Sequence, residues 1–191
     1  MPFSLDSRRK SAATLERAYP GATFLDVTSR GPDPWVRFSP FFPHGGIPVP
    51  MSNETAQSVE GIWQGLKVFD TADVDPTRFA VSSMSGLKRT TRRFGAVRGH
   101  RAGVTGRQLL SYLDARLMIY LPAYRFVLEH RLANELAELH SLGERTQVVL
   151  LDYETNARID DLSRPLSHAS LVIAWLTNAW PARDEMPGPL P

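Results

Sequence analysis

Cysteine is absent from all 191 residues. That excludes disulfides, thiolate metal sites and a cysteine nucleophile, and it fits a reducing compartment. No apolar run approaches the roughly 20 residues that a helical membrane span needs. The opening stretch, MPFSLDSRRKSAATLERAYPG, has no apolar run behind a basic patch. The sequence therefore predicts no signal peptide, a soluble chain and a cytoplasmic location. The five histidines, His44, His100, His130, His140 and His168, show no metal-ligand spacing. Nucleophile-elbow, glycine-rich phosphate-loop and zinc-protease patterns are missing as well, so neither a metal nor another cofactor is expected. The most informative gap is in charge. Asp and Glu do not occur between Pro76 and Leu113, a window that holds Arg78, Lys88, Arg89, Arg92, Arg93, Arg98, Arg101 and Arg107. All 20 acidic residues lie outside it, although the net charge is only +2. An acid-free basic segment on an acidic body points to an anionic partner, or to a solvated loop paired with acids elsewhere.

What is present suffices for one domain. The hydrophobic content of 42% supports a core over residues 1–180, while PARDEMPGPLP, residues 181–191, has the composition of a disordered tail. Ser11–Tyr19 predicts a first helix stopped by Pro20-Gly21. Ala22–Thr28 and Trp35–Ser39 predict strands, the latter after the turn-rich SRGPDP. Residues 106–140 carry leucine and tyrosine at three- and four-residue steps, a helix that Pro122 kinks or splits. Thr146–Asp152 is the strongest strand and Leu166–Asn178 a last helix. Strands and helices without a regular alternation predict an α+β fold: a single compact domain with a small mixed sheet packed against helices.

A helix over Gln57–Phe69 concentrates the polar chemistry, which is expected between residues 35 and 107. On a helical wheel Val59, Ile62, Leu66 and Phe69 cluster on one side and Glu60, Gln64 and Lys67 on the other, with Trp63 at the flank. Glu60, Gln64 and Lys67 read either as a solvated face or as a site. Gly61 and Gly65 favour the site. Each mid-helix glycine costs about 1 kcal/mol against alanine, so the pair implies that a backbone or a ligand approaches closely. Elsewhere, His44, between Pro43 and Gly45-Gly46, could reach a ligand or be a plain loop residue. Asp152, which ends the best strand in Asp152-Tyr153-Glu154-Thr155-Asn156, could supply a second carboxylate, bind sugar hydroxyls, or belong to a polar turn capped by Asn156.

The segment from Ser58 to Phe69 resembles the signature helix of the NADAR/YbiA-like superfamily, Ser-x-Glu-x-x-aromatic-Gln-x-x-Lys-x-aromatic. Arg37-Phe38-Ser39-Pro40-Phe41-Phe42-Pro43 is similar to that superfamily's upstream Phe-Ser-Asn-Phe-aromatic-Pro segment. Two departures stand out: Gly61 replaces the usual histidine after the glutamate, and Pro40 replaces the asparagine. The resemblance implies a hydrolase of N-glycosidic bonds in a nucleotide-like or ADP-ribosylated substrate, working through an oxocarbenium-like sugar. On that reading Glu60 is the central carboxylate, kept ionised by Lys67, and Gln64 positions water or a ribose hydroxyl. Trp63 or Trp35 stacks on a flat base. Arg37, Phe38 and Ser39 belong to the upstream segment that lines the substrate. Arg92, Arg98 and Arg101 hold phosphate, and His100 is a further substrate-binding residue. The expected partner is a small nucleotide or phosphorylated glycoside. The alternative is a non-catalytic nucleotide- or nucleic-acid-binding protein that uses residues 88–107.

Overall fold

A computed structural model of the chain describes residues 2–181, and the tail expected from Pro181 onward lies, but for that proline, outside the described residues. The fold is α+β, as the pattern of elements predicts, but its strands form three separate small sheets instead of one mixed sheet. The first is wholly parallel. Strand β1 (Phe3–Ser7) and strand β2 (Thr23–Asp26), joined by helix α1 (Ala12–Ala18), both pair with a central late strand, Val148–Asp152. All five residues of that central strand are buried. Val148 and Leu150 enter the main core, while Val149 and Leu151 pack with Leu15 of α1 on the other face. Burial on both faces is why VVLLD is a continuous apolar run and not an alternating one.

Trp35–Phe38, expected as a strand, is a 3-10 turn with Trp35, Val36 and Phe38 buried. A short apolar run suits either conformation, and among the described residues no strand pairs with it. A two-residue ribbon follows, β3 (Ile47–Pro48) with β4 (Thr55–Ala56). Helix α2 (Val59–Gly65) then starts at Ser58, whose hydroxyl accepts the Gly61 N–H at 3.0 Å. It ends four residues earlier than its periodicity suggests. Lys67–Phe69 leaves the helix as strand β5 and pairs with β6 (Val97–Arg101), beyond a 3-10 turn at Pro76–Ala80 and helix α3 (Thr91–Phe94). A tertiary pairing partner has overridden local helical preference. Strand β7 (Leu109–Leu110) completes this antiparallel sheet.

The long helical region is segmented. Helix α4 (Tyr112–Ala115) runs into a π turn, Arg116–Tyr120, and on into α5 (Leu121–Arg131). The widened turn lies directly before Pro122, whose nitrogen has no proton to return to the preceding turn. Leu132 leaves helical geometry at φ −125°, and α6 (Ala133–Arg145) follows. Strand β8 is the central Val148–Asp152, and α7 (His168–Leu176) closes the fold.

The two glycines of α2 admit a backbone carbonyl and an aromatic ring, not a ligand. A Cβ on Gly61 would lie 2.8 Å from the Arg78 carbonyl oxygen, and one on Gly65 2.3 Å from the Phe79 ring, both in the 3-10 turn that packs on this helix. Overpacking costs about 1–3 kcal/mol, partly offset by the ~1 kcal/mol that alanine gains in a helix. At the middle of that range the net loss is about 1 kcal/mol, so Gly61→Ala should lower the thermal midpoint by roughly 2–4 °C. A calorimetric scan showing an unchanged or higher midpoint would contradict this packing.

Candidate functional site

Glu60 and Gln64 are buried although they carry polar side chains, 8% and 4% exposed. The α2 backbone is anchored at this point, since the Glu60 N–H donates to the Pro40 carbonyl at 2.8 Å. Gln64 Nε2 donates to Glu60 Oε1 at 2.8 Å, and Gln64 Oε1 accepts the Arg89 backbone N–H at 3.0 Å. The amide is thus held at both ends and fixes the carboxylate. Burial pushes the Glu60 carboxyl above the ordinary glutamate range, against the opposing pull of Gln64, Lys67 and Lys88. Burial likewise brings the Lys67 ammonium down, Glu60 resisting and Lys88 and Arg89 adding to the fall. Desolvation outweighs pairing for both groups. This corrects the expectation that Lys67 simply keeps Glu60 ionised.

Strands β5 and β6 make the adjoining wall. Their register sets Lys67 opposite His100. The His100 ring lies 3.8 Å from the Trp63 ring, and neither of its nitrogens has a hydrogen-bond partner among the described residues. Burial, with the Lys67 charge beside it, pushes His100 down to about 3, so the ring is neutral. Gly99 takes φ +150°, and a Cβ there would meet the Leu110 carbonyl oxygen at 2.4 Å. Arg89 is buried behind this wall. Its guanidinium donates to the carbonyls of Gln64, Lys67 and Asp73 at 3.2, 2.7 and 2.7 Å, between the rings of Phe69 and Phe94.

The facing wall is the carboxyl edge of the parallel sheet, where ligands of α/β proteins commonly bind. β1, β2 and β8 all end here, and the residues after them (Arg9, Thr28 and Ser29, Tyr153 and Glu154) line the same cleft as Glu60. Asp152 is the last residue of β8. Its Oδ2 lies 3.0 Å from His168 Nδ1 and accepts the Ser167 hydroxyl at 2.7 Å. His168 Nε2 meets the Val27 carbonyl at 2.9 Å. Both partners of the ring are acceptors, so both ring nitrogens carry protons and His168 is a buried imidazolium. Burial opposes ionisation of each member, but their mutual attraction prevails. Asp152 is brought down to about 2 and His168 is raised. The π turn adds Arg116, buried and donating to the carbonyls of Ile159, Asp161 and Arg164.

The cleft has a volume of about 830 Å³, within the range of small-ligand sites. Its basic lining residues are Arg9, Lys67, Lys88, Arg89, Arg98 and Arg116, and its acids are Glu60, Asp152 and Glu154. Among the described residues, Lys67, Lys88, Arg89 and Arg116 have no carboxylate within ion-pair distance, whereas Arg98 pairs with Asp70 and Arg9 with Glu154. Such a lining favours an anionic ligand.

Of the residues singled out in the sequence, Glu60, Trp63, Gln64, Lys67, Ser39, Arg98, His100 and Asp152 come together in this cleft. The others do not line it. Trp35 and Phe38 stack on each other inside the core. Arg37 is held by Glu135 and the Arg131 carbonyl. His44 is bonded to the Arg37 carbonyl and packed on Phe42, and burial pushes it down to about 4. Arg92 is exposed on α3. Arg101 is gripped by both oxygens of Asp73. The chemistry also extends beyond residues 35–107, to Arg9, Tyr112, Arg116, Tyr120, Tyr153 and His168. One signal for these was legible: Tyr112, Arg116 and Tyr120 recur every four residues, with an arginine inside an otherwise apolar stripe. Among the described residues, no group of three His, Asp or Glu side chains is placed to hold a metal ion.

These features define an α+β protein with a cationic cleft between a helix bearing a buried carboxylate and the carboxyl edge of a parallel sheet. The chain belongs to the family described as "Family of unknown function (DUF6939)", whose model matches residues 7–172. Neither the curated proteins nor the solved structures searched gave a match.

The Asp152–His168 pair makes the cleft's stability depend on pH in both directions. The contribution of Asp152 is present above its unfolded value, about 3.9, and is lost as pH falls through about 2. The contribution of His168 is present below about 6.5 and is lost as pH rises through its raised folded value. Asp152→Asn leaves the histidine without its counter-charge, which typically costs about 3–5 kcal/mol. Its midpoint at pH 6 should fall by roughly 6–20 °C, and the histidine's contribution should reverse sign, the variant gaining stability as pH rises through about 6.5 because burial without Asp152 lowers His168. Melting curves across pH 3–9 check both effects; parallel pH profiles for the two proteins would refute the pair.

Proposed function

We propose that the chain is a hydrolase that cleaves the N-glycosidic bond of a nucleotide-like or ADP-ribosylated substrate, with Glu60 as the central carboxylate. The observation that carries this reading is a buried glutamate, raised above its ordinary range and fixed by Gln64, in a cleft where, among the described residues, the Lys67 and Lys88 ammonium groups have no hydrogen-bonded or ion-pair partner. The signature-like segment Ser58–Phe69 supports it, because its glutamate, glutamine and lysine converge here even though Lys67 stands on β5 and not on the helix.

In this mechanism Lys67 and Lys88 hold the anionic part of the substrate. The C1–N bond breaks with its electron pair leaving on the base nitrogen, and positive charge develops at C1. Ionised Glu60 stabilises that charge and takes a proton from the water whose oxygen bonds to C1. The departing nitrogen is reprotonated from solvent. A carboxyl group with a raised pKa suits such proton transfer near neutrality better than an ordinary glutamate. The small-ligand reading is preferred to nucleic-acid binding through residues 88–107. Arg89, Arg98 and Arg101 are bonded to carbonyls, Asp70 and Asp73, and so are not presented as a basic surface.

The test is to incubate the protein with nucleotides, ADP-ribosylated bases and pyrimidine-pathway intermediates and assay released base or ribose. Glu60→Gln should reduce kcat by about 10²–10³ with little change in ground-state affinity or melting temperature. If it turns over substrate at the wild-type rate, Glu60 is not the catalytic carboxylate. The acid limb of kcat/KM should lie above the ordinary glutamate value of 4.5. Lys67→Met removes a charge that favours ionised Glu60, so that limb should move to higher pH. A shift to lower pH would show that another group controls it.

A further inference from the structure

Tyr120 and Tyr124 are neighbours on one stretch of helix, with rings 6.0 Å apart and nearly parallel, yet their hydroxyls differ. Tyr124 is fully buried, and its hydroxyl donates to the Phe38 carbonyl at 2.7 Å. The Tyr120 hydroxyl makes no hydrogen bond among the described residues and is not sealed from the cleft that its side chain lines. The ring is held in place by Tyr124 on one side and by Trp63, edge-on at 5.8 Å, on another. Its position follows from the π turn, a feature that often marks functional sites and that re-aims the side chains it carries. An immobilised, open, unpartnered phenol is an incomplete arrangement, because a largely desolvated hydroxyl costs free energy until something bonds to it.

The surroundings specify what that partner is. Burial, Glu60 and Asp152, in that order, keep the phenol protonated, so it is a neutral donor within electrostatic reach of two carboxylates. The two carboxylates outweigh the nearby Arg116, whose donors are taken by carbonyls, so a phosphate oxygen is disfavoured there. A sugar hydroxyl is not, because it can accept from the phenol while donating to a carboxylate. We infer that Tyr120 is a ligand-positioning residue whose hydroxyl, open to the cleft shared with Glu60 and Asp152, donates to a sugar hydroxyl of the bound molecule. The inference rests on reading the cleft as a site for a nucleotide-like glycoside and adds which part of the ligand lies at the π turn. The anionic part lies toward Lys67 and Lys88.

The experiment is calorimetric titration of the full chain with ribose 5-phosphate and, separately, with inorganic phosphate. Tyr120→Phe keeps the ring and its packing and removes only the hydroxyl. It should weaken ribose 5-phosphate by about 2–10-fold, the effect of one neutral hydrogen bond, leave inorganic phosphate unchanged and melt at or above the wild-type temperature. As a control, Tyr124→Phe loses a structural bond and should melt lower without altering the ratio of the two affinities. Equal weakening of both probes by Tyr120→Phe, no change in either, or a wild-type protein that does not bind ribose 5-phosphate would each overturn the inference. The hydrolase reading is judged separately. A chain that binds ribose 5-phosphate through Tyr120 but releases no base from any substrate would uphold this residue's role and reject the hydrolase.

Discussion

The guanidinium of Arg89 is the joint on which the cleft is built. Its donors meet carbonyl oxygens in the last turn of α2, at the first residue of β5 and in the following loop, and two phenylalanine rings cover its faces. Carbonyl dipoles and aromatic faces stabilise a buried cation without a carboxylate. The same residue's backbone N–H fixes the Gln64 amide, which in turn fixes Glu60. One residue therefore governs both the orientation of the buried carboxylate and the point at which Lys67 leaves the helix to face it.

The acid-free segment acquires a different meaning once folded. Asp70 and Asp73 lie just before it in sequence and fold back onto Arg98 and Arg101. These pairs are partly exposed, so they position the strand more than they stabilise it. The cations that lack such partners among the described residues, Lys67, Lys88, Arg89 and Arg116, come from separate segments and converge on the cleft. Its positive character is thus a property of the assembly, strengthened by burial that disfavours ionisation of Glu60.

The parallel sheet supplies the opposite wall by simple geometry. Three strands running the same way bring three carboxyl ends, and three polar loops, to one edge. Because β8 is apolar along its buried length, Asp152 is where polar chemistry first becomes affordable, and the His168 imidazolium compensates its charge. The π turn ahead of Pro122 brings Tyr120 to the cleft lining and buries the Arg116 guanidinium against the carbonyls of Ile159, Asp161 and Arg164.

Much of this was determined by the sequence alone. The β-branched, leucine-rich run at 148–152 was legible as a strand between polar flanks, and the three- and four-residue steps after residue 112 as helix. Glu60, Trp63 and Gln64 share one side of α2 because their spacing requires it, and two glycines announced a close approach. The sequence could not show that Lys67 would leave the helix, since the partner strand that captures it lies thirty or so residues away and local propensity is weak beside such pairing. Nor could it show that Trp35, Arg37, His44 and Arg101 would be claimed by the core or by nearby acids and carbonyls, or that Asp152, Arg116 and Tyr120 would face Glu60. Periodicity reports which side of its own element a residue occupies. Only tertiary packing decides what lies opposite, and with it the burial and charge that set the chemistry of each group.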